Sequence, residues 1–418
     1  MKSFDVPSRF QSAFIAQLKA IRKKNDPRKR DFEPALLDFG PVRFLIPRHF
    51  GFCYGVENAI EIAYRTLDEN PGKKVYFLGE MIHNPVVNQD LLAQGIRFLQ
   101  DTKGKELLPI DELTPEDIVL IPAFGTSLQM KDRLDALGLS TKEYDTTCPF
   151  VVKVWNKAAQ LSEKGFSVVV HGKPSHEETR ATFSHAAHQS PTVVVKDMEQ
   201  AGRLAQYING ELPAADFHEE FAGQFSEGFD LARDLVKFGV VNQTTMLASD
   251  TQAIARYLKS VLATKYGQEN ITEHFADTRD TLCYATNDNQ SANIKMLESK
   301  ADLAIVVGGY NSSNTSHLME LAEEKLPSYF IEGPECIHDD KSLTSFDLNS
   351  QIETTTRSFL PIRDSAQAPT DIVLTCGASC PDRLVEEVLL KLLQFFPESR
   401  NPEAVLAHYQ ESVETAVK

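Results

Sequence analysis

The stretch FSVVVHGKPSHEETRATF, residues 166–183, decides the fold class. It begins with a short run of apolar, mostly β-branched residues, passes through a polar loop that contains His176, and ends in a helix-like segment. A short, wholly apolar strand followed by a helix is typical of a parallel sheet that is buried on both faces. The stretch therefore predicts a parallel α/β architecture, in which ligand-binding loops lie at the carboxyl ends of the strands.

The same arrangement of strand, polar loop and helix occurs at two other places in the chain. They are KVYFLGEMIHNPVVNQDL (74–91), with His83 in its loop, and LAIVVGGYNSSNTSHLMEL (303–321). A second kind of strand ends in small and hydroxyl residues, and its copies are DIVLIPAFGTSLQM (117–130), FGVVNQTTMLASD (238–250) and DIVLTCGASCPDRL (371–384). Internal similarity at a regular spacing indicates repeated structural units.

A cysteine at the predicted start of a helix completes each repeat. The separations are 30 residues from Cys53 to His83, 28 from Cys148 to His176, and 29 from Cys283 to Ser312. The repeats predict three parallel α/β lobes related by a pseudo-threefold axis, with their strand-end loops directed at one centre. One cysteine from each lobe would meet there.

The repeats also predict the domain organisation of the chain. We expect an N-terminal extension, three lobes and a C-terminal tail, with the bounds 1–41, 42–139, 140–269, 270–395 and 396–418. An acidic, Phe-rich insert at 211–230 lengthens the second lobe.

Composition and charge restrict the function and the location. The chain has 418 residues, 42% of them hydrophobic, and a net charge of −16, which argues against a nucleic-acid-binding protein with a basic footprint. It contains no apolar run near the ~18–20 residues that span a bilayer and no signal-peptide pattern. We expect a cytoplasmic protein with reduced thiols; the basic, amphipathic segment 2–24 leaves a plastid protein with a transit peptide as the alternative.

Three thiolates at one centre predict a metal site. A closed structural zinc site needs four ligands, commonly in CxxC pairs, which this sequence lacks. A [4Fe–4S] cluster held by three cysteines would leave one iron open to a substrate. The alternative is that all three cysteines are small buried hydrophobic residues. For Cys376 and Cys380 we favour a packing role over a redox pair, and for Cys336 an exposed loop.

The polar residues of the strand-end loops predict an anion site beside that centre. Hydroxyls, amides and helix N-termini together suit phosphate or diphosphate, although a lone Ser-Ser-Asn would normally be a helix cap. Glu178 is the only carboxylate of the set and is a candidate proton donor. The set comprises His83, His176, Glu178, Gln243, Thr244, Ser312, Ser313, Asn314 and Ser379.

These motifs, taken in order, resemble those of one known family. They are GFCYGV, IHNPVV, DTTCP, SHEETRAT, NQTT, LCYATNDNQ, NSSNT and GASCPD. From about residue 42 to residue 395 the chain resembles the 4-hydroxy-3-methylbut-2-enyl diphosphate reductases, the IspH or LytB family. The form PAFG at 122–125 is similar to the plant and cyanobacterial branch.

The resemblance implies a trefoil of three α/β lobes around a central [4Fe–4S] cluster. It implies reduction of the allylic hydroxyl diphosphate to isopentenyl and dimethylallyl diphosphates, the last step of the methylerythritol phosphate route to isoprenoids. The implied cluster ligands are Cys53, Cys148 and Cys283. The implied proton relay is Glu178 with Thr244 and His176. The implied substrate-binding residues are His83, His176, Thr244, Ser312, Ser313, Asn314 and Ser379. Of these, His83, Ser312, Asn314 and Ser379 would hold the diphosphate, with Ser313 beside them.

One position departs from the family pattern, and both the electron donor and the function have alternatives. Many family members have a phosphate-binding histidine where this chain has Phe124, and Thr126 or Ser127 are the candidates to compensate. Ferredoxin is the expected electron donor, with flavodoxin as the alternative. A non-catalytic iron–sulfur sensor or scaffold and a metal-free binder of phosphorylated ligands are the competing functions.

Overall fold

The computed structural model of the protein describes residues 4–278, 281–362 and 368–416. The chain divides into two compact units. The first unit is built from the described residues of Met1–Glu57, His83–Val87 and Tyr284–Lys418, and the second from those of Asn58–Ile82 and Asn88–Cys283.

The second unit contains two parallel sheets. The strands of the smaller sheet, in spatial order, are Arg97–Phe98, Val75–Phe77 and Ile118–Leu120. The strands of the larger sheet are Thr192–Val195, Ser167–His171, Phe238–Asn242 and Phe275–Ala276. Every residue of Ser167–His171 and Phe238–Asn242 is buried, which explains why the interiors of these strands lack alternating polar residues.

The helices of this unit mostly follow the strands. Those that lie wholly within it are Leu128–Ala136, Pro149–Glu163, Glu177–Ala187, Met198–Asn209, Ala214–Glu220, Leu231–Asp234, Ala248–Tyr266 and Ile271–His274. The helices Tyr54–Glu69 and Pro85–Ala93 are divided between the two units by residue. Short 3₁₀ turns occur at Ile110–Glu112 and Gln268–Asn270.

The acidic, Phe-rich insert belongs to the core of the larger sheet. Phe217 is buried and stacks on Phe221 with ring centroids 4.8 Å apart, and it meets Tyr207 edge to face at 5.3 Å. The Phe225 backbone makes an antiparallel bridge with Val193 at the edge of the sheet. The apolar side chains of the insert therefore face inward, while its acidic residues lie between them.

The first unit contains one mixed sheet and a separate hairpin. The sheet order is Ala35–Asp38, Val42–Ile46, Thr370–Cys376, Leu303–Val307 and Ser328–Ile331. All neighbours are parallel except the first pair, which forms an antiparallel edge. The hairpin consists of Ser342–Asp347 and Ile352–Arg357.

Both terminal segments are folded into this unit. Its complete helices are Ala13–Asn25, Tyr284–Met296, Ser313–Glu323, Asp382–Leu393 and Pro402–Ala416, and it has 3₁₀ turns at Ser8–Phe10 and Pro334–Cys336. Ile15 and Leu18 of the first helix share a core cluster with Leu406 of the last. The basic, amphipathic N-terminal segment thus buries its apolar face against the C-terminal tail.

The α/β class and the parallel sheets predicted from the repeats are confirmed. The lobe boundaries remain a prediction, and the structure adds one fact about them. The strand Val42–Ile46, which the sequence places at the start of the first lobe, pairs with Thr370–Cys376 of the third. Its apolar residues complete the core of the third sheet.

The described part of the chain contains no helix that is both long enough and apolar enough to cross a lipid bilayer.

Replacement of Phe217 by Ala tests the structural role of the insert. The change removes a fully buried ring from an aromatic cluster, so we expect the free energy of unfolding to fall by about 3–5 kcal/mol. Tyr257→Ala in the same unit is the control, because Tyr257 is one of its exposed aromatic residues and should cost about 1 kcal/mol or less. Urea denaturation measures both, and equal losses would contradict a core role for the insert.

Candidate functional site

The backbone N–H of each candidate cysteine donates a hydrogen bond to a loop at the end of a strand of the second kind. Cys148 donates to the Ala123 carbonyl at 3.0 Å, and Cys283 donates to the Thr244 carbonyl at 3.4 Å, both in the second unit. In the first unit, Cys53 donates to the Ala378 carbonyl at 3.1 Å. The acceptors lie in the PAFG, NQTT and CGAS sequences, so the three repeats are equivalent at the level of single hydrogen bonds.

Each of these bonds joins a cysteine to a strand of another repeat. Cys148 is held by the first repeat, and Cys283 is held by the second. Cys53 is held by the third. Each cysteine therefore begins its own repeat in the sequence but packs against a loop of a different repeat in the structure.

Two of the candidate ligands lie close together in the second unit. Cys148 is the N-cap of the helix Pro149–Glu163, whose first residue is the proline that suits this position. Burial raises the pKa of the Cys148 thiol to about 11, and the neighbouring Cys283 thiol and Glu178 carboxyl contribute to the increase. A thiol in this position resists ionisation by itself, so a bound cation is what would favour its thiolate form.

Glu178 and Thr244 meet because their strands are neighbours. His171 pairs with Asn242 at the carboxyl ends of Ser167–His171 and Phe238–Asn242, so the two following loops lie side by side. The Glu178 side chain, 1% exposed, accepts hydrogen bonds from the Thr244 N–H at 2.5 Å and from the Thr244 Oγ1–H at 2.9 Å. A buried carboxyl is thereby fixed next to a hydroxyl that can pass on a proton.

His176 is fixed on the same loop. It is the N-cap of the helix Glu177–Ala187, and its Nδ1 accepts the Glu178 N–H at 3.1 Å. This bond assigns the proton of a neutral ring to Nε2. The Phe124 ring meets the His176 ring edge to face, with centroids 5.6 Å apart. Phe124 therefore packs on a site residue without offering it a hydrogen bond.

The structure distinguishes the two residues expected to compensate for Phe124. The Ser127 hydroxyl caps the helix Leu128–Ala136 by accepting the Met130 N–H at 3.3 Å. The Thr126 carbonyl lies 3.3 Å from His185 Nε2, and the Thr126 hydroxyl has no hydrogen bond within the described ranges. Compensation by either residue remains a prediction. The Thr126 hydroxyl is the more available of the two, because the Ser127 hydroxyl already caps a helix.

A second set of site residues lies in the first unit. Val307 and Cys376 are paired at the ends of adjacent parallel strands, which brings the NSSNT and CGAS loops together. The Asn314 Oδ1 accepts the Ala378 N–H at 2.8 Å. The Ser379 hydroxyl donates to the His83 carbonyl at 3.0 Å and lies 3.4 Å from the Ser312 hydroxyl. Ser312 also caps the helix Ser313–Glu323, which is the ordinary role that the sequence offers for a Ser-Ser-Asn stretch.

Two donors of this set have no partner in the described part of the chain. The Ser313 Oγ and the Asn314 Nδ2 are buried without a hydrogen bond, although each residue is only 3% exposed. Buried polar atoms are normally paired, because an unpaired donor costs about 1–3 kcal/mol. Together with the N-terminus of an 11-residue helix, they form a place suited to a bound anion.

Two glycines of these loops lie so close to neighbouring atoms that a side chain would not fit. A Cβ on Gly309 would lie 2.7 Å from the His83 carbonyl oxygen. A Cβ on Gly377 would overlap the Thr315 hydroxyl and lie 3.0 Å from the Thr315 Cβ. Both positions need glycine, because Gly309 lies against a backbone carbonyl and Gly377 lies against the Thr315 side chain.

The structure gathers every candidate residue into one of two groups. His176, Glu178, Gln243, Thr244, Cys148 and Cys283 belong to the second unit. The members in the first unit are Cys53, His83, Ser312, Ser313, Asn314 and Ser379. The other cysteines are buried, and Cys376 and Cys380 lie wholly within the core of the first unit, in accord with a packing role. Cys336 is also buried rather than exposed in a loop.

Several supporting residues were not singled out from the sequence. The Asn242 Oδ1 accepts the Thr281 N–H at 2.9 Å and the Thr281 hydroxyl at 2.6 Å, which fixes the backbone two residues before Cys283. The Thr315 hydroxyl donates to the Ser312 Oγ at 2.9 Å. The sequence signal that could have identified such supporting residues is a polar residue at the end of a strand, such as Asn242.

Comparison with known proteins identifies the family of the chain. Residues 45–393 match the family model described as LytB protein. The chain is 38% identical to the 4-hydroxy-3-methylbut-2-enyl diphosphate reductase of Gloeobacter violaceus, over 85% of this chain and 83% of that protein. It is 40% identical to the reductase of that name from Synechococcus sp. (strain RCC307), over 85% and 84%.

The fold is also similar to a solved structure. The E-1-hydroxy-2-methyl-but-2-enyl-4-diphosphate reductase from Plasmodium falciparum superposes with a TM-score of 0.58 and 22% identity, over 87% of this chain and 96% of that one. At this identity the likeness concerns the fold.

Replacement of Gly377 by Ala tests the close packing of the loops in the first unit. The added methyl group must displace the Thr315 side chain, so we expect the free energy of unfolding to fall by about 1–3 kcal/mol. Gly202→Ala is the control, because a Cβ there meets nothing within 4 Å inside the helix Met198–Asn209. That change should stabilise the protein by about 0.5–1 kcal/mol. Chemical denaturation gives both values, and a neutral Gly377→Ala would refute the packing argument.

Proposed function

The chain belongs to the LytB protein family, and from this premise we propose that it is a 4-hydroxy-3-methylbut-2-enyl diphosphate reductase. The reaction would use two electrons and two protons to remove the 4-hydroxyl as water and form isopentenyl and dimethylallyl diphosphates. The observation that carries the proposal is a buried carboxyl on a threonine hydroxyl beside two thiols, in a chain 38% identical to curated reductases of this name.

We propose Cys53, Cys148 and Cys283 as the ligands of an iron–sulfur cluster of the [4Fe–4S] type. The donor set of the second unit fits such a group, because the Cys148 and Cys283 thiols are neighbours and burial opposes ionisation of the Cys148 thiol without a cation. When bound, the cluster supplies electrons and an open Lewis-acidic iron. The N-cap position of Cys148 helps, since the positive end of a helix favours a thiolate.

The loops of the first unit are proposed to hold the diphosphate. The Ser313 hydroxyl and the Asn314 amide are the buried donors that an anion would satisfy. Ser312 and Ser379 already contact one another, so both hydroxyls can turn toward the same ligand. His83 is assigned to this group because its carbonyl accepts the Ser379 hydroxyl, which ties its loop to the cradle.

Proton delivery is proposed to involve Glu178, Thr244 and His176. Both Glu178 oxygens accept hydrogen bonds from Thr244, so a proton gained by the carboxyl has a neighbouring hydroxyl to move to. The Thr244 hydroxyl could then donate toward the leaving oxygen. His176 accepts the Glu178 backbone N–H through Nδ1, which places the proton of its neutral ring on Nε2.

A pure sensor or scaffold, or a metal-free binder, would have no use for a buried Glu178 that is fixed on Thr244. Ferredoxin remains the proposed electron donor, with flavodoxin as the alternative. A cytoplasmic location, with a plastid as the alternative, also remains a proposal.

Glu178→Gln tests the proton relay. An amide cannot release a proton, so we expect kcat to fall by about 10²–10⁴-fold while absorption near 400 nm is retained. Glu199→Gln is the matched control, because Glu199 is also the second residue of a helix in this unit but is exposed. Anaerobic turnover of the hydroxylated diphosphate with dithionite measures the rates. Wild-type turnover in Glu178→Gln would remove this residue from the mechanism.

Cys148→Ser tests the ligand assignment. Loss of one thiolate should abolish the iron content and the brown colour of anaerobically purified protein, along with turnover. Cys336→Ser is the control, because this buried thiol contacts the Tyr310 hydroxyl at 3.9 Å and is outside the proposed ligand set. It should retain the cluster and lose only about 1–3 kcal/mol of stability. A colourless wild type that stays inactive after reconstitution would refute the proposed function.

A further inference from the structure

A cavity of about 420 Å³ in the first unit reaches Cys53. Its walls are the N-terminal helix Ala13–Asn25, the segment that leads to Cys53, and the first turn of the helix Tyr284–Met296. Phe52, Tyr54 and Tyr284 also line it, and Tyr284 is 43% exposed. The cavity is therefore an opening from the surface to one of the proposed cluster ligands.

The cations around this cavity are unusual in a chain with a net charge of −16. The lining includes Lys19, Lys23, Lys29 and Arg48, together with His49. Partial desolvation of its ammonium group and the positive charges of Arg48, Lys19 and Lys23 lower the pKa of Lys29, although the residue as a whole is exposed. The field at Lys29 is thus positive on balance, although acidic groups lie close by.

Acidic groups lie beside Lys19 and Arg48, but in the described part of the chain none pairs with Lys23 or Lys29 at the rim of the cavity. Lys19 pairs with Asp382 at 2.7 Å, and Arg48 lies 3.7 Å from Asp26. Asp288, at 3.8 Å from His49, and Glu57 are the carboxylates of the lining itself.

Lys23 and Lys29 are both exposed, and within the described ranges neither makes an ion pair. A turn that is closed by a hydrogen bond from the Lys29 N–H to the Asp26 carbonyl, at 3.1 Å, holds Lys29 at the rim.

We propose that this cavity and its rim, with Lys23 and Lys29, form the docking surface for an acidic one-electron carrier protein. The inference rests on the proposed function, since a reductase must receive its two electrons from outside. Two reduced carriers would each give one electron, and the cluster would be reduced as each carrier is oxidised. Electron transfer weakens steeply with distance, so a carrier must approach the surface nearest a cluster ligand.

The chemistry of the surface favours a protein over a small anion. An exposed aromatic side chain such as Tyr284, with cations around it, is typical of protein interfaces, and electron-transfer complexes are small and weak. An acidic carrier would be repelled by the net negative charge of this protein and attracted by Lys23 and Lys29, which favours this site and a defined orientation. Lys19, Lys23 and Lys29 precede residue 45, where the family match begins, so the N-terminal segment supplies most of the rim.

The test measures binding of an acidic [2Fe–2S] ferredoxin to the holoenzyme by calorimetry. For the double variant Lys23→Glu, Lys29→Glu we expect the Kd to rise roughly ten-fold at low salt, with a weaker dependence on salt than in the wild type. Lys24→Glu is the matched control. Lys24 lies on the same helix but pairs with Glu414 at 2.9 Å, away from the cavity, and its reversal should change the Kd less than about two-fold.

Turnover supplies the second readout. The rate with reduced ferredoxin, divided by the rate with dithionite in the same variant, should fall roughly ten-fold in the double variant and stay constant in Lys24→Glu. Unchanged ferredoxin binding in the double variant, or an equal loss in Lys24→Glu, would overturn the docking surface. So would loss of inorganic diphosphate binding alone, which would identify a small-anion site.

The two proposals fail in different ways. If the wild type does not turn over the hydroxylated diphosphate with dithionite, the proposed function is wrong. Ferredoxin binding to the same variants still decides whether the rim is a docking surface.

Discussion

The hydrogen bond from each cysteine N–H to a strand-end carbonyl is the constraint on which the site depends. It positions Cys148 against Ala123, Cys283 against Thr244 and Cys53 against Ala378. In each case the partner loop also bears the small or hydroxyl residues that line the candidate site. A thiol and its polar neighbours are thus joined through the backbone, which side-chain substitutions leave in place. This arrangement lets the loops carry chemistry without losing the position of the ligand.

In both units, the parallel pairing of neighbouring strands brings their polar loops together. Adjacent strands end level at His171 and Asn242, and again at Val307 and Cys376, so that their loops must emerge together. The first pair produces the Glu178–Thr244 contact, and the second produces the cradle around Asn314. One unit therefore holds an acid and thiols, while the other holds buried donors. The same topological rule, that parallel strands present neighbouring loops at one edge, explains both.

The repeated motifs predicted the α/β class, which is confirmed, and they named the candidate residues, because their spacing is a local property of the chain. They could not predict that Val42–Ile46 would join the third sheet, since strand pairing across more than 300 residues leaves no local trace. They also missed Thr281 and Thr315, whose hydroxyls form hydrogen bonds with the backbone and with other side chains. Phe124 was recognised as a departure, but its edge-to-face contact with His176 depends on a fold that brings two distant loops together.

The N-terminal segment illustrates how one amphipathic pattern can serve two purposes. Its apolar face, with Ile15 and Leu18, is buried against the C-terminal helix, and this burial fixes the helix in place. The opposite side is then presented to solvent at a fixed position beside Cys53, with Lys23 on the rim of the cavity. A disordered basic tail would spread the same charge over many positions and direct no partner. Anchoring by the core is therefore what turns a basic segment into a surface that can orient an acidic carrier.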